Sequence, residues 1–184
     1  MDFKEVVSKR RSTRRYTGKP VEVERLRSAM ELALKAPSSK NTRSTRLMAV
    51  TDLKRVHALG ALRDWGSSLL EEAGAAIVVL GDEEASPMWQ TNASIMAAVL
   101  QLALVNEGLA SCWVHVGDYL TIKDDPTSKR SEDYVKELLP EIPEGYRVWC
   151  VISIGYADYT PKPLPDYEGP CLLYTSPSPR DATL

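Results

Sequence analysis

The sequence predicts one α+β or α/β domain, and three observations lead there. The chain has 184 residues, one domain's worth. Helical and strand patterns alternate along it with short connections. No internal repeat and no linker rich in Gly, Pro or Ser divides residues 1–170, which read as a single unit.

The elements follow in order. A short first helix, Phe3 to Lys9, runs into a basic turn. Pro20 precedes an amphipathic helix whose Leu26, Ala29, Met30 and Ala33 share one face, and Pro37 ends it. A strand is expected around Leu47 to Val50, then helices near Asp52 to Leu59 and Ser67 to Ala73. Ala76 to Leu80, bounded by Gly74 and Gly81, reads as a buried strand. From Ala93 to Val105 only Ser94 and Gln101 are polar, so the helix predicted over Thr91 to Glu107 has no broad wet face. In a chain this small, a second subunit is the simplest cover for it, which predicts an obligate homodimer. A strand from Ala110 to Val116, a short helix from Ser131 to Leu139 and a last strand from Arg147 to Tyr156 complete the set.

Composition narrows the function classes. With 23 Lys+Arg against 25 Asp+Glu, the formal charge is -2, which argues against a nucleic-acid partner, because phosphate binding is driven by excess positive charge. Three cysteines, Cys112, Cys150 and Cys171, imply no disulfide framework and a reducing, cytoplasmic setting. No apolar run suits a signal peptide or spans a bilayer, so no membrane partner is expected. Cys171 to Leu184 resembles a translated sequencing adaptor, although a native Ser/Pro-rich disordered tail would have a similar composition. On the first reading the natural residues after Pro170 are missing.

Three segments have side chains suited to chemistry. Lys9 to Arg15 holds five cations and two hydroxyls in seven residues. Guanidinium forks match phosphate oxygens bidentately, and hydroxyl and backbone N–H donors complete such a shell; a solvated basic turn is the plainer alternative. Ala36 to Arg43 is a polar loop whose side chains both donate and accept, which suits the edge of a heterocycle, or simply a helix exit. Glu107 to Val116 breaks at Gly108 into an apolar strand. There the backbone offers N–H groups to a flat ligand, Trp113 is placed to wall it, and His115 falls on the same face as Trp113, as a site residue or a core one. His57 and His115 are the two histidines, and no zinc spacing, G-x-G-x-x-G, Walker A or G-x-S-x-G motif occurs. Cys112 and Cys150 read as buried hydrophobes. So little acid–base machinery points to chemistry borrowed from a cofactor.

Three motifs in order resemble the FMN-dependent nitroreductase family, in particular its short members: the R-R-S-x-R turn (Arg10, Arg11, Ser12, Arg14), the A-P-S-S-x-N loop (Ala36 to Asn41) and the G-L-x-S-C-W segment (Gly108 to Trp113). The closing strand Val151 to Tyr156, followed by a Pro/Lys-rich run, matches as well. The resemblance implies an α+β fold with a central, mostly antiparallel sheet flanked by helices, in an entwined homodimer with two FMN at the subunit interface. By position, Arg10, Arg11 and Ser12 would grip the FMN phosphate and ribityl chain, and Arg14 would lie toward the pyrimidine edge, where a cation stabilises charge on the reduced ring. Pro37, Ser38, Ser39 and Asn41 would frame the ring from the partner subunit. The backbone of Trp113, Val114 and His115 would pass beside N5, and Lys162 would supply a C-terminal phosphate-binding cation. No protein residue is expected to be catalytic in its own right.

The activity implied is ping-pong reduction of nitroaromatics, quinones or a related small-molecule acceptor by NADH or NADPH. Two alternatives are another flavin chemistry on the same fold, dehalogenation or flavin fragmentation, and a non-catalytic basic-turn binding protein. The chain departs from its relatives in two places: Thr42 to Arg46 lacks the aromatic residue that many carry after Asn41, and Trp89 is followed by Asn92 where short relatives often place an Asp.

Overall fold

Ala75–Asp82 is apolar at seven of its eight positions and buried almost throughout. A strand wet on neither face must lie inside a sheet with cover on both sides. The computed structural model, which describes residues 1–162 and residue 164, places it there. The four strands are β1 (Thr45–Val50), β2 (Ala75–Asp82), β3 (Ala110–His115) and β4 (Tyr146–Gly155). They are ordered β1-β2-β4-β3, and every pairing is antiparallel. This is the antiparallel α+β architecture expected. The ladder of β2 on β4 is offset by one residue between Val79 and Leu80. The suspected adaptor tail lies outside the described residues.

Side chains alternate across the sheet, so each face has its own core. On one face Ile77, Val79, Ile152 and Ile154 meet α2 (Val23–Ala33) and α4 (Trp89–Asn106). On the other, Val78, Leu80, Cys112, Val114 and Val151 meet α3 (Leu53–Ala58), α5 (Ser131–Leu138) and the turns between α3 and β2. The remaining helix, α1 (Phe3–Lys9), lies against α4.

Several boundaries differ from the sequence reading. The helix expected over Ser67 to Ala73 is one 3₁₀ turn, Ser68–Glu72. Its leucines pack as a helix face would, but Ala73 is already extended because it must enter β2. α2 ends at Ala33, with Leu34 as its cap; Pro37 therefore lies beyond a short turn and does not itself break the helix. α3 is capped by Asp52, whose Oδ1 accepts from the Lys54 N–H at 2.9 Å, and runs on into a second 3₁₀ turn, Leu59–Leu62. The exposed residues of α4 include Ile95 and Ala98, with Leu102 and Val105 half-buried beyond them. At spacings of three and four they form one apolar stripe.

The packing of α5 against β4 depends on one buried carboxylate. Glu132 accepts from Arg147 Nε at 3.0 and 3.1 Å and from the Val148 N–H at 3.0 Å, and it pairs with Lys136 at 3.0 Å. Burial pushes its pKa up, but the Val148 N–H, Lys136 and Arg147 outweigh that and hold it below the usual glutamate value. Its contribution to stability is therefore complete above the ordinary glutamate pKa and lost as pH falls through the lower folded value. We expect Glu132→Gln to cost about 2 kcal/mol at pH 7, less than for a fully buried pair because its partners are partly solvated. Urea midpoints should show the gap between wild type and variant shrinking as pH drops below about 4; a gap independent of pH would contradict this.

Candidate functional site

The basic turn follows from how α1 stops. Asp2 caps its start, Oδ1 accepting from the Glu5 N–H at 2.8 Å, and at Arg10 the backbone becomes extended. The chain then runs along the outer edge of β3. Ser12 pairs with Ser111 in a parallel bridge, with the Thr13 N–H on the Ser111 carbonyl at 3.0 Å, and Tyr16 pairs with Ala157. Tyr16 pins the segment from inside, its hydroxyl donating to the Thr13 carbonyl at 2.7 Å and sharing a bond with Ser153 Oγ at 2.7 Å. The first and third sequence motifs are thereby brought together in one chain.

Extended backbone sends alternate side chains to opposite sides. Arg10, Ser12 and Arg14 fall on the side of the Cys112 thiol, whose pKa burial raises more than Arg14 and Ser12 lower it; Cys112 is a neutral, buried thiol, as expected. Arg11 and Thr13 face a concavity that Ser111 also lines. Arg11 holds the turn itself: it donates to the carbonyls of Ser8 at 2.9 Å, Arg10 at 2.7 Å and Lys162 at 3.1 Å. Lys162 is exposed and thus returned to the basic turn after β4. Lys9 pairs with Glu5 at 2.6 Å and Arg15 with Asp158 at 3.2 Å. Among the described residues no carboxylate lies within ion-pair distance of Arg10 or Arg14, so two cations on one side of the turn are available to an anion.

Among the described residues no other strand covers the outer edge of β3 beyond Ser111, and its outward N–H groups are open to a ligand. Val114 is buried in the sheet's far core, while Trp113 and His115 stack on the near face, centroids 6.2 Å apart and planes 13° from parallel. Trp149 and Tyr119 meet His115 edge-on at 4.6 and 5.3 Å, and Tyr119 meets Trp65 at 5.6 Å. Arg63 lies over both Trp65 (4.9 Å) and Tyr119 (5.1 Å). Burial, with Arg63 nearby, lowers the His115 pKa, so the imidazole is neutral at pH 7. Gly117, at φ +34°, leaves room for it: a Cβ there would come within 2.5 Å of Nε2. Sequence reasoning misses Arg63, Trp65 and Tyr119; the one hint is the Arg-Asp-Trp-Gly cluster that follows Leu59 to Leu62.

The polar loop sits at the far edge of the sheet. Ser39–Asn41 forms a 3₁₀ turn leading into β1, and Lys40, Asn41 and Arg43 all have φ near +50°, a conformation non-glycine residues adopt only when surroundings enforce it. Asn92, 2% exposed on α4, enforces it. Its Oδ1 accepts from the Ser39 N–H at 2.9 Å, and its Nδ2 donates to Ser44 Oγ at 2.9 Å and Thr42 Oγ1 at 3.4 Å. The carboxylate of an Asp at this place would have no N–H to give those hydroxyls. The loop borders a concavity of about 430 Å³ lined by Pro37, Ser38, Asn41, Arg43, Thr45 and Met96, among others. β1 and β3 are three strand spacings apart, about 14 Å. Pro37, Ser38, Ser39 and Asn41 are therefore not brought to the basic turn of their own chain.

The matches to known proteins agree with this geometry. The family model described as Nitroreductase family matches residues 7–62 and 53–156. The chain belongs to the nitroreductase family. A curated relative from Archaeoglobus fulgidus, provisionally named as an NADH dehydrogenase/NAD(P)H nitroreductase, is 30% identical over 151 residues, 80% of each chain. An FMN-dependent nitroreductase from Clostridium difficile superposes with a TM-score of 0.80 at 36% identity, covering 88% of this chain and 91% of that one. A Bacteroides fragilis nitroreductase with bound FMN shares the fold, with a TM-score of 0.73 at 20% identity over 95% of this chain and all of that one. Membership of the nitroreductase family places the chain among the oxidoreductases. Among the described residues there is no cluster of metal-ligating side chains, and no helix is long and apolar enough to cross a membrane.

Proposed function

We propose that this protein is a homodimeric, cytoplasmic flavoenzyme, built on residues 1–170, that binds FMN along the outer edge of β3 and reduces small acceptors at the expense of NADH or NADPH in a ping-pong cycle. The observation that carries the reading is the pair of cations, Arg10 and Arg14, with no carboxylate partner among the described residues, flanking Ser12 on a sheet edge with outward N–H groups. FMN presents a phosphate dianion at one end and a planar ring with hydrogen-bonding edges at the other, and the donor set fits both. Arg10, Ser12 and Lys162 would hold the phosphate, and Arg11 would keep the turn in place behind them. Arg14 would set a permanent positive charge at the pyrimidine edge. The backbone of Trp113, Val114 and His115 would orient the ring, and the neutral His115 adds no charge there. Bound in this site, the flavin supplies the hydride chemistry that the chain's own side chains lack.

The dimer follows from two unfinished features. Pro37, Ser38, Ser39 and Asn41 complete a ring pocket only if a second copy brings them to the basic turn. The α4 stripe, with Phe3 75% and Val7 43% exposed on the adjoining α1, forms an apolar surface that a second copy would cover. A spectrum recorded across the size-exclusion peak tests both parts. We expect flavin absorption at dimer mass with about one FMN per chain; colourless protein that takes up no added FMN would refute the reading. Initial-velocity plots for NADH or NADPH against a nitroaromatic or quinone should be parallel, as a ping-pong order requires.

A further inference from the structure

Ser153 is the one hydroxyl side chain between Val148 and Gly155 of β4. It is buried, and so is Tyr16, with which it bonds. Tyr16 has a single hydroxyl proton to give. The Thr13 carbonyl, at 2.7 Å, takes it ahead of the Ser153 carbonyl at 3.4 Å, which leaves the phenol oxygen to accept from Ser153 Oγ at 2.7 Å. Ser153 Oγ also lies 3.2 Å from the Cys112 carbonyl. Burial pushes the Tyr16 pKa well above its ordinary value, so the phenol keeps its proton throughout the neutral range. The ring itself is seated against Gly155, where a Cβ would come within 2.9 Å of Cδ1.

The bonds made at Thr13 fix both peptide groups that meet there. The Ser12–Thr13 peptide gives its N–H to the Ser111 carbonyl at 3.0 Å, and the Thr13–Arg14 peptide accepts from Tyr16 through its carbonyl. Each peptide group is planar, so Arg14 leaves a backbone held on one side by the edge of β3 and on the other by the core. Its guanidinium, by contrast, makes one long hydrogen bond among the described residues, to the Ser12 carbonyl at 3.4 Å. The backbone end alone therefore decides where this cation starts from. We propose that Tyr16, backed by Ser153, is a positioning residue of the flavin site: it fixes the direction from which Arg14 reaches the pyrimidine edge of the ring, and so how strongly that charge favours the reduced flavin. The role rests on the flavoenzyme reading, which puts Arg14 at that edge; the clamp on the Thr13–Arg14 peptide does not.

Tyr16→Phe keeps the ring and removes the clamp. In the flavin-free protein, amide exchange followed by NMR should accelerate about ten-fold more at Thr13 than at the slowest amides of β2, which report global stability. The second readout is the ratio of affinities for reduced and oxidised FMN, taken from spectroelectrochemical titration of bound against free flavin. Loss of folded protein weakens both affinities alike and leaves that ratio unmoved, so a merely structural role does not register in it. Arg14→Ala and Tyr16→Phe should each lower the ratio about five-fold or more. The double variant should fall no further than Arg14→Ala alone, since the clamp has nothing to aim once the guanidinium is gone. Ser153→Ala should lower the ratio about two-fold, and it decides the matter if Tyr16→Phe does not fold. With yellow wild-type protein, an unmoved ratio in the Tyr16 and Ser153 variants, additive losses in the double variant, or equal acceleration at Thr13 and β2 would overturn the proposal. Wild-type protein that takes up no FMN would remove the flavoenzyme reading and the aiming of Arg14 together, and exchange at Thr13 would then uphold or overturn the clamp by itself.

Discussion

Arg10→Ala should weaken FMN binding about thirty-fold or more, close to 2 kcal/mol. The size of the effect rests on what surrounds the guanidinium. Arg10 is half-buried at the end of α1, where the helix gives way to extended chain, and no described carboxylate neutralises it. Its loss removes a charge-assisted pair with the phosphate that Arg11, bonded to three carbonyls, is not free to replace. Arg10→Lys should recover part of the affinity, since it keeps the charge and gives up the bidentate fork. Equilibrium dialysis or flavin fluorescence against apoprotein measures both. Unchanged affinity in Arg10→Ala would withdraw Arg10 from the phosphate site.

Ile95→Glu should convert the protein into a colourless monomer. Ile95 is 37% exposed in the single chain, so a glutamate there is hydrated as long as the chain stands alone, and the circular dichroism spectrum should be unchanged. In a two-fold dimer every interface residue occurs twice, and desolvating an unpaired carboxylate costs several kcal/mol each time, enough to shift a micromolar dimer to monomer. Flavin should leave with the partner's polar loop. Light scattering on the size-exclusion peak, with absorbance in line, reads both. A yellow variant at dimer mass would show that the α4 stripe faces something other than a second copy.

Much of this architecture is written in local patterns. The long apolar run of α4 and the uninterrupted apolar stretch of β2 each admit one kind of burial, and both elements lie where the sequence put them. Leu69, Leu70 and Ala73 have the spacing of a helix face, but Ser68–Glu72 is a 3₁₀ turn, because its length is set by the distance back to the sheet, which spacing does not encode. The site divides in the same way. Arg10, Ser12 and Arg14 are legible because cations cluster in seven residues and alternate on extended chain. Arg63 and Tyr119 are 56 positions apart and meet only through tertiary packing, so neither stands out alone. Asn92 stands out in the sequence only as the residue found where short relatives often place an Asp; that it bonds the loop holding three left-handed residues depends on how α4 lies against β1.

The two halves of the proposed site lie at opposite edges of one chain's sheet, and that has a genetic consequence. In a two-fold pair each pocket takes its basic turn from one chain and its polar loop from the other. A chain damaged in the turn and a chain damaged in the loop would each be inactive with its own kind. Paired together, they bring both defects to one pocket and leave the second intact, so two silent alleles would complement when expressed in the same cell.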